Sequence, residues 1–203
     1  MGIFLDHNLT WMSHIKHISS KLSRVLFLLR ELKDFVPNEH VKSAYFAFFQ
    51  SVILYGLLLW GNSSHISDIL LLQKKAVRLL TNLPPLTHCK PLFRELGIMT
   101  VINLYILQCV MHVKSNISNF IVRRTVHSYP TRNREDLHVP FNRLSISQKN
   151  YSAMSLKIFN HFPHKVTELP VNDLKDKLTE WLTNNPFYDI NEFLSIDRKD
   201  LDI

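Results

Sequence analysis

The hydrophobic positions recur at steps of three and four residues along most of the chain, which is the spacing of amphipathic helices. The clearest stripe predicts a helix over residues 10–33, which ends before Pro37 because the residue preceding a proline avoids the helical region. Its apolar members are Ile15, Ile18, Leu22, Val25, Leu26, Leu29 and Leu32. Between them lie His14, Lys16, His17, Lys21, Arg24, Arg30 and Lys33. The polar face of this helix is therefore basic.

The same periodicity predicts six further helices. They span residues 39–60, 67–82, 91–97, 99–114, 147–162 and 171–183. The first of these includes a stretch without formal charge, from Ala44 to Trp60, whose length is at the lower limit for a membrane span. Gln50, Ser51 and Gly56 interrupt that stretch and no polybasic segment flanks it, so we interpret it as a buried helix of a bundle.

Two segments depart from the helical pattern. Residues 2–6 form a short apolar run that predicts a strand, whose pairing partners are either missing or belong to another chain. Residues 116–145 lack periodicity, which predicts a linker or a functional loop. The predicted fold is mostly α. Its segments are a short N-terminal strand (1–7), a helical bundle (8–115), a loop-rich linker (116–145), a small helical C-terminal extension (146–195) and a frayed tail (196–203).

Charge is distributed unevenly within the net charge of +7. Residues 1–134 contain sixteen Lys and Arg against six Asp and Glu, whereas residues 135–203 contain eight against eleven. The basic part favours contact with a polyanion, although a solvated surface without a partner explains the charge as well. The candidate phosphate-binding residues are Lys16, Lys21, Arg24, Lys74, Lys75, Arg78, Arg123, Arg124, Arg132 and Arg134. Tyr129, among these arginines, is a candidate to stack on a base or a primer end.

No catalytic set stands out in the sequence. Two-metal polymerases hold Mg²⁺ with closely placed aspartates, but the adjacent acids here are Glu135 and Asp136, which we interpret as a solvated loop. Four potential zinc ligands are His88, Cys89, Cys109 and His112. They lack the usual Cys-x₂-Cys spacing, so a buried thiol and a satisfied histidine are the better interpretation. We therefore expect no metal, no cofactor and no small-molecule substrate.

The cellular compartment is predicted from the cysteines and the N-terminus. Two cysteines are too few for a disulfide framework, and the N-terminus lacks the basic and apolar regions of a signal peptide. We expect an intracellular protein, nuclear or cytoplasmic, that is neither secreted nor bound to a membrane.

An ordered set of short strings runs through the chain. They are Gly2-Ile3-Phe4-Leu5-Asp6, Leu9-Thr10-Trp11, His14-Ile15, Lys21-Leu22, Tyr45, Gln50-Ser51, Leu54-Tyr55-Gly56, Trp60-Gly61, the run from Leu72 to Arg78, Leu92-Phe93, Leu96-Gly97, the run from Tyr129 to Arg132, the run from Asn160 to Pro163, Leu178 and Phe187-Tyr188. In this order and with these spacings, the set resembles the segment that follows the reverse-transcriptase core of jockey-type non-LTR retrotransposons.

The resemblance implies part of an RNA-directed DNA polymerase. Residues 2–6 would be a strand at the edge of the palm, and the helices from about 10 to 83 would form the thumb, which makes the bundle at 8–115 thumb-like. The implied partners are an RNA–DNA or DNA duplex, held through its phosphates, and the palm and fingers if these are encoded upstream. The family's Phe-Ala-Asp-Asp box is not in this sequence. The chain alone should therefore be inactive, and Mg²⁺ would belong only to the full-length polymerase.

Other interpretations remain open beside this one. A truncated element remnant or a fragmentary gene model would have no autonomous function. Without its palm, such a helical domain would expose an apolar face and associate with itself as a protein-interaction module. An independent enzyme and a protein anchored through residues 44–60 are the remaining alternatives.

Overall fold

The computed structural model describes residues 2–126 and 133–201, most of which lie in helices. The helices are α1 (Met12–Lys33), α2 (Asn38–Ala44), α3 (Ser51–Leu54), α4 (Leu57–Trp60), α5 (Ile66–Thr81), α6 (Lys90–Leu96), α7 (Val101–Ser115), α8 (Arg123–Val126), α9 (Ser145–Gln148), α10 (Tyr151–His161), α11 (His164–Thr167), α12 (Val171–Asn184) and α13 (Ile190–Leu194). A π-helical turn, Tyr45–Gln50, joins α2 to α3, and 3₁₀ turns span Ile117–Asn119 and Arg198–Asp200. The predicted mostly α class is confirmed.

The strand predicted at residues 2–6 is wrong. This segment has no strand conformation, and the one isolated β-bridge among the described residues joins Val122 to Leu137 instead. The segment lies along α1, where the Phe4 backbone N–H donates to Nδ1 of His14 at 3.4 Å and the Phe4 ring centroid lies 4.6 Å from that of His17. An apolar run without a neighbouring strand packs on the nearest helix rather than in a sheet.

The single helix predicted over residues 39–60 is interrupted twice. The π-helical turn widens the backbone first, and the chain then leaves the helix at Tyr55 before Gly56 adopts a left-handed conformation with φ of 65°. Glycine tolerates that conformation without a steric penalty. The indole Nε1 of Trp60 donates to the Tyr55 carbonyl at 3.0 Å, which satisfies a backbone group released by the break.

One hydrophobic core runs through the described chain from Ile15 to Leu201. Helix α1 packs on α5, and the buried helix α7 packs against both α10 and α12. The core therefore contains side chains from the predicted bundle at 8–115 and from the predicted extension at 146–195. The division into those two domains stays a prediction.

The buried amide of Gln73 connects three elements of this core. Its Nε2 donates to the hydroxyl of Tyr45 and to the carbonyl of Met99, both at 2.9 Å. Its Oε1 accepts the backbone N–H of Val101, at the start of α7, at 2.8 Å. One side chain thus joins α5 to the π-helical turn and to the beginning of α7, and it satisfies polar groups that water cannot reach.

A second buried amide, Asn103, holds the C-terminal segment against α7. Its Nδ2 donates to the carbonyls of Leu182 and Asn185, and its Oδ1 accepts the backbone N–H of Phe187 at 3.1 Å. The Thr100 hydroxyl caps α7 by accepting the Asn103 N–H, and it donates to the Phe187 carbonyl at 2.8 Å. The first turn of α7 therefore fixes the path of the chain as it leaves α12.

The end of the described chain contacts the central segment. The frayed tail expected at 196–203 stays a prediction, and its last two residues lie outside the described part. Arg198 Nη1 lies 2.9 Å from Oδ1 of Asp136, His164 Nε2 lies 3.3 Å from the same oxygen, and Leu201 is buried. Asp136 is itself buried, so the solvated loop predicted for the acidic pair is wrong at this residue. A buried carboxylate needs such partners because an unpaired charge is costly away from water.

No single helix in residues 2–126 or 133–201 is long and apolar enough to cross a membrane. Only α6 and α7 taken together reach the necessary length and composition, and they meet at a bend of 60°.

Candidate nucleic-acid interface

The cations predicted on α1 lie on its outer side. Lys16 and Arg24 are exposed and Lys21 is half-buried, while the apolar stripe of the helix faces the core. Within residues 2–126 and 133–201, none of these three cations forms an ion pair, and Glu31 is the only acid in α1. Arg24 Nε makes only a local bond to the Ser20 carbonyl, at 3.4 Å. These charges are therefore available to a polyanion.

His14 does not belong to that basic face, which corrects the prediction from spacing. The side chain is 1% exposed, and its ring lies between the indoles of Trp11 and Trp60, with centroids 6.2 and 6.0 Å away. Burial and the nearby His17 lower the pKa of His14, which keeps the imidazole neutral at physiological pH. A neutral ring inside the core contributes no charge to the surface.

The three predicted cations of α5 have different environments. Lys75 is exposed, whereas its neighbour Lys74 is half-buried with Nζ 3.6 Å from the centroid of the Tyr188 ring. Arg78 is also half-buried, and its Nε donates to the Thr87 carbonyl at 2.9 Å. Only Lys75 therefore faces solvent as the sequence analysis expected.

Two residues missed by the sequence analysis, Lys90 and Tyr188, join Lys74 and Arg78. Lys90 pairs with Glu192, and its Nζ lies 5.1 Å from the Tyr188 ring centroid. Burial lowers the pKa of Lys74, as do the like charges of Arg78 and Lys90. Burial raises the pKa of Tyr188 to about 12. The string Phe187-Tyr188 belongs to the resemblance, but no local pattern in the sequence predicts that it lies beside α5.

The arginines of the central segment share one carboxylate. Arg124 Nη1 lies 3.2 Å from Glu135, and Arg134 Nε lies 3.1 Å from it, with all three side chains substantially exposed. The backbone of Arg123 donates to the Asp136 carbonyl at 2.9 Å. Arg132 and Tyr129 lie outside the described residues. One carboxylate between two arginines leaves an excess of positive charge here.

Large apolar side chains are exposed near the basic face of α1. Phe27 and Leu28 follow Arg24 on the same helix, and Phe35, just beyond the end of the helix, is 82% exposed. Phe46 and Phe48 are exposed on the π-helical turn. Isolated exposed apolar residues are common, but several in neighbouring elements indicate a contact surface.

The possible metal ligands do not assemble. In the described part of the chain, no group of three or more His, Cys, Asp and Glu residues could hold a metal ion. Cys89 and Cys109 are buried free thiols, and burial raises the pKa of Cys109 to about 11. His112 makes an edge contact with the ring of Tyr151 instead.

Comparison with known proteins adds no relative. No family model matches the chain, no curated protein matches it, and no solved structure matches it. The resemblance to reverse transcriptases expected from the ordered strings of the sequence therefore stays a prediction.

Proposed function

We propose that this chain is the thumb-like region of a jockey-type non-LTR retrotransposon reverse transcriptase, which grips a template–primer duplex by its phosphates and is not catalytic alone. The observation that carries the proposal is the set of three cations on α1, Lys16, Lys21 and Arg24, which form no ion pair with any residue that the structure describes. The ordered strings support the family. The proposed location is intracellular, nuclear or cytoplasmic, where an RNA–DNA duplex would be found. The proposed chain needs no cofactor, and Mg²⁺ would act only in the full-length polymerase.

The geometry of α1 suits contact with a nucleic-acid backbone. Lys16 and Arg24 are eight residues apart on one continuous helix, which separates them by about 12 Å along its axis. A duplex carries one negative charge per roughly 1.7 Å of its axis, so the helix would face several phosphates at once. Contacts of this kind position a protein on the duplex without reading its sequence.

Removing the three α1 cations is expected to weaken duplex binding. The variant Lys16→Gln, Lys21→Gln and Arg24→Gln should bind an RNA–DNA duplex at least about tenfold more weakly at roughly 50 mM salt, because it loses contacts to the phosphates. Each lost phosphate contact should also lower the slope of log affinity against log salt concentration by about 1. Fluorescence anisotropy at about 50 and about 200 mM salt would measure both quantities.

The matched control removes three exposed lysines from the acidic C-terminal part. Lys165→Gln, Lys175→Gln and Lys177→Gln change the net charge equally and should leave affinity within about threefold, because these side chains lie away from α1 in the sequence and in an acidic environment. Equal losses in the two variants would mean that net charge alone drives binding. No binding by the unmodified chain at low salt would end the proposal.

A second candidate function is self-association as a helical interaction module. It is favoured by the exposed apolar residues Phe27, Leu28 and Phe35. Light scattering across a dilution series is expected to show dimers that dissociate, and Phe35→Ser should shift the distribution toward monomer without loss of helical signal, because this side chain packs little in the fold. A monomer at every concentration would remove this candidate and leave duplex binding unaffected.

A further inference from the structure

Two lysine side chains lie over the ring of one tyrosine between α5, α6 and α13, and an arginine follows one of them on α5. The Nζ atoms of Lys74 and Lys90 lie 3.6 and 5.1 Å from the ring centroid of Tyr188. Arg78 is one helical turn beyond Lys74 and interacts electrostatically with both Lys74 and Tyr188. Lys74, Arg78 and Tyr188 are half-buried, and the side chain of Lys90 is 31% exposed. Ions from solvent can therefore reach the three cations.

The acids nearby do not balance these charges. Glu192 accepts from Lys90 through Oε1 and from the backbone N–H of Tyr188 through Oε2, so both of its oxygens are engaged. Two of the groups that act on Lys74, Arg78 and Lys90, are cations. The thiol of Cys89 acts on it as well, but burial raises the pKa of that thiol and so favours its neutral form. Three cations against one carboxylate leave two positive charges in excess. Like charges gathered in a half-buried place are unfavourable unless an anion joins them.

We propose that Lys74, Arg78 and Lys90 form a binding site for a phosphate group that carries two negative charges. Such a dianion matches the excess charge, and its oxygens are the acceptors that ammonium and guanidinium groups bind most strongly. The Tyr188 hydroxyl is buried and has no hydrogen-bond partner in the described part of the chain, so it would become a further donor to a phosphate that enters between the three cations. The ligand is free phosphate or the terminal phosphate of a nucleic-acid strand, since a phosphodiester carries only one charge.

This site goes beyond the duplex grip proposed for α1. It uses cations of α5 and α6, and it selects a phosphate terminus or free phosphate rather than a continuous backbone. The two ideas are separable, because the α1 triple variant keeps the phosphate site and a change at Lys74 keeps the α1 cations.

The direct test compares Lys74→Met with Lys157→Met in a titration with inorganic phosphate at constant ionic strength. Lys157 is exposed on α10 and belongs to neither proposed site, so the control removes the same charge from elsewhere on the surface. Calorimetry and thermal unfolding should show phosphate binding by the unmodified chain and by Lys157→Met. The phosphate Kd of Lys74→Met should rise at least about tenfold, because a charge-assisted hydrogen bond is lost.

A second variant separates ligand binding from packing. Tyr188→Phe keeps the ring under Lys74 and removes only the hydroxyl, so the fold should be retained while the phosphate Kd rises by about threefold or more. If these residues only attach α13 to α5, then phosphate would not bind the unmodified chain, or Lys74→Met and Lys157→Met would bind it equally. Either result overturns the proposal.

Oligonucleotides distinguish the two sources of the phosphate. A single strand with a 5′-phosphate is compared with the same strand ending in a 5′-hydroxyl, in competition with inorganic phosphate. Preference for the phosphorylated end, lost in Lys74→Met, supports a strand terminus as ligand. Phosphate binding without that preference supports free phosphate as ligand. If the α1 triple variant loses duplex binding but still binds phosphate, then the phosphate site is independent of the duplex grip.

Discussion

Replacing Gly61 by alanine is expected to lower the free energy of unfolding by about 3 kcal/mol, at the upper end of the usual cost of overpacking. The new Cβ would lie 2.2 Å from Cδ2 of Tyr105 and 2.7 Å from the Leu57 carbonyl oxygen. Tyr105 is fully buried on α7, so its ring has no free space into which it can turn. The φ of Gly61 is −65°, an ordinary helical value, and the expected loss is therefore steric rather than conformational.

Two other glycines provide controls in the same urea-denaturation experiment. Gly2→Ala adds a Cβ with no atom within 4 Å and should change the free energy of unfolding by less than about 0.5 kcal/mol. Gly97→Ala also adds a Cβ in open space, but its φ of 64° imposes a cost of about 1–2 kcal/mol. A loss at Gly61 no larger than that at Gly97 would contradict the close approach of α4 to α7.

Replacing Gln73 by leucine is expected to cost about 3 kcal/mol or more of stability. The change leaves the Val101 N–H, the Met99 carbonyl and the Tyr45 hydroxyl without their partner in a region that water does not reach. Each buried group without a partner costs about 1–3 kcal/mol. Leucine is similar in size to glutamine, so lost hydrogen bonds rather than a cavity should dominate the measured difference.

The matched control for this amide is Gln148→Leu. Gln148 is exposed, and its side-chain Nε2 donates to the Asn142 carbonyl at 2.9 Å. Water replaces that partner, so the free energy of unfolding should change by less than about 0.5 kcal/mol. Losses of equal size in thermal or urea unfolding would show that Gln73 does not connect α5 to α7 in the way described.

The helices that the sequence predicts best are those whose signals are local. The apolar stripe of α1 and the periodicity over 67–82 agree with Met12–Lys33 and Ile66–Thr81 to within a few residues. The end of α5 is marked by Asn82, which adopts the left-handed conformation that asparagine tolerates. The apolar spacing of a helix and the residues that end it lie within a few positions of each other, so these signals can be recognised in a single sequence.

Features that depend on distant neighbours could not be predicted in this way. Gly56 interrupts the apolar run in the sequence, but nothing local indicates that the helix breaks there instead of continuing through the glycine. Gln73 has the spacing of a core position but gives no sign of the partners that its amide finds at Met99 and Val101. Similarly, Lys74 and Lys75 are adjacent in the sequence, but the helical period does not predict that Lys74 contacts the Tyr188 ring while Lys75 stays exposed.

The candidate interface was predicted unevenly for the same reason. Lys16 and Arg24 are exposed as the amphipathic pattern of α1 indicates. His14 lies at the edge of the same pattern and is buried, because Phe4 and Trp60 from other segments cover it. A helical pattern defines the direction of a side chain relative to its own axis, whereas exposure depends also on what packs above it.

The hydrogen bonds of the buried Asn103 amide have a consequence for the preparation of a shorter version of this protein. A truncation before α12 would remove the backbone groups at Leu182, Asn185 and Phe187 that this amide binds. The apolar side of α7 that packs on α12 would then be left bare along its length. Such a shortened chain should precipitate during purification, so a fragment limited to the predicted bundle at 8–115 is a poor starting point for crystallisation or binding assays.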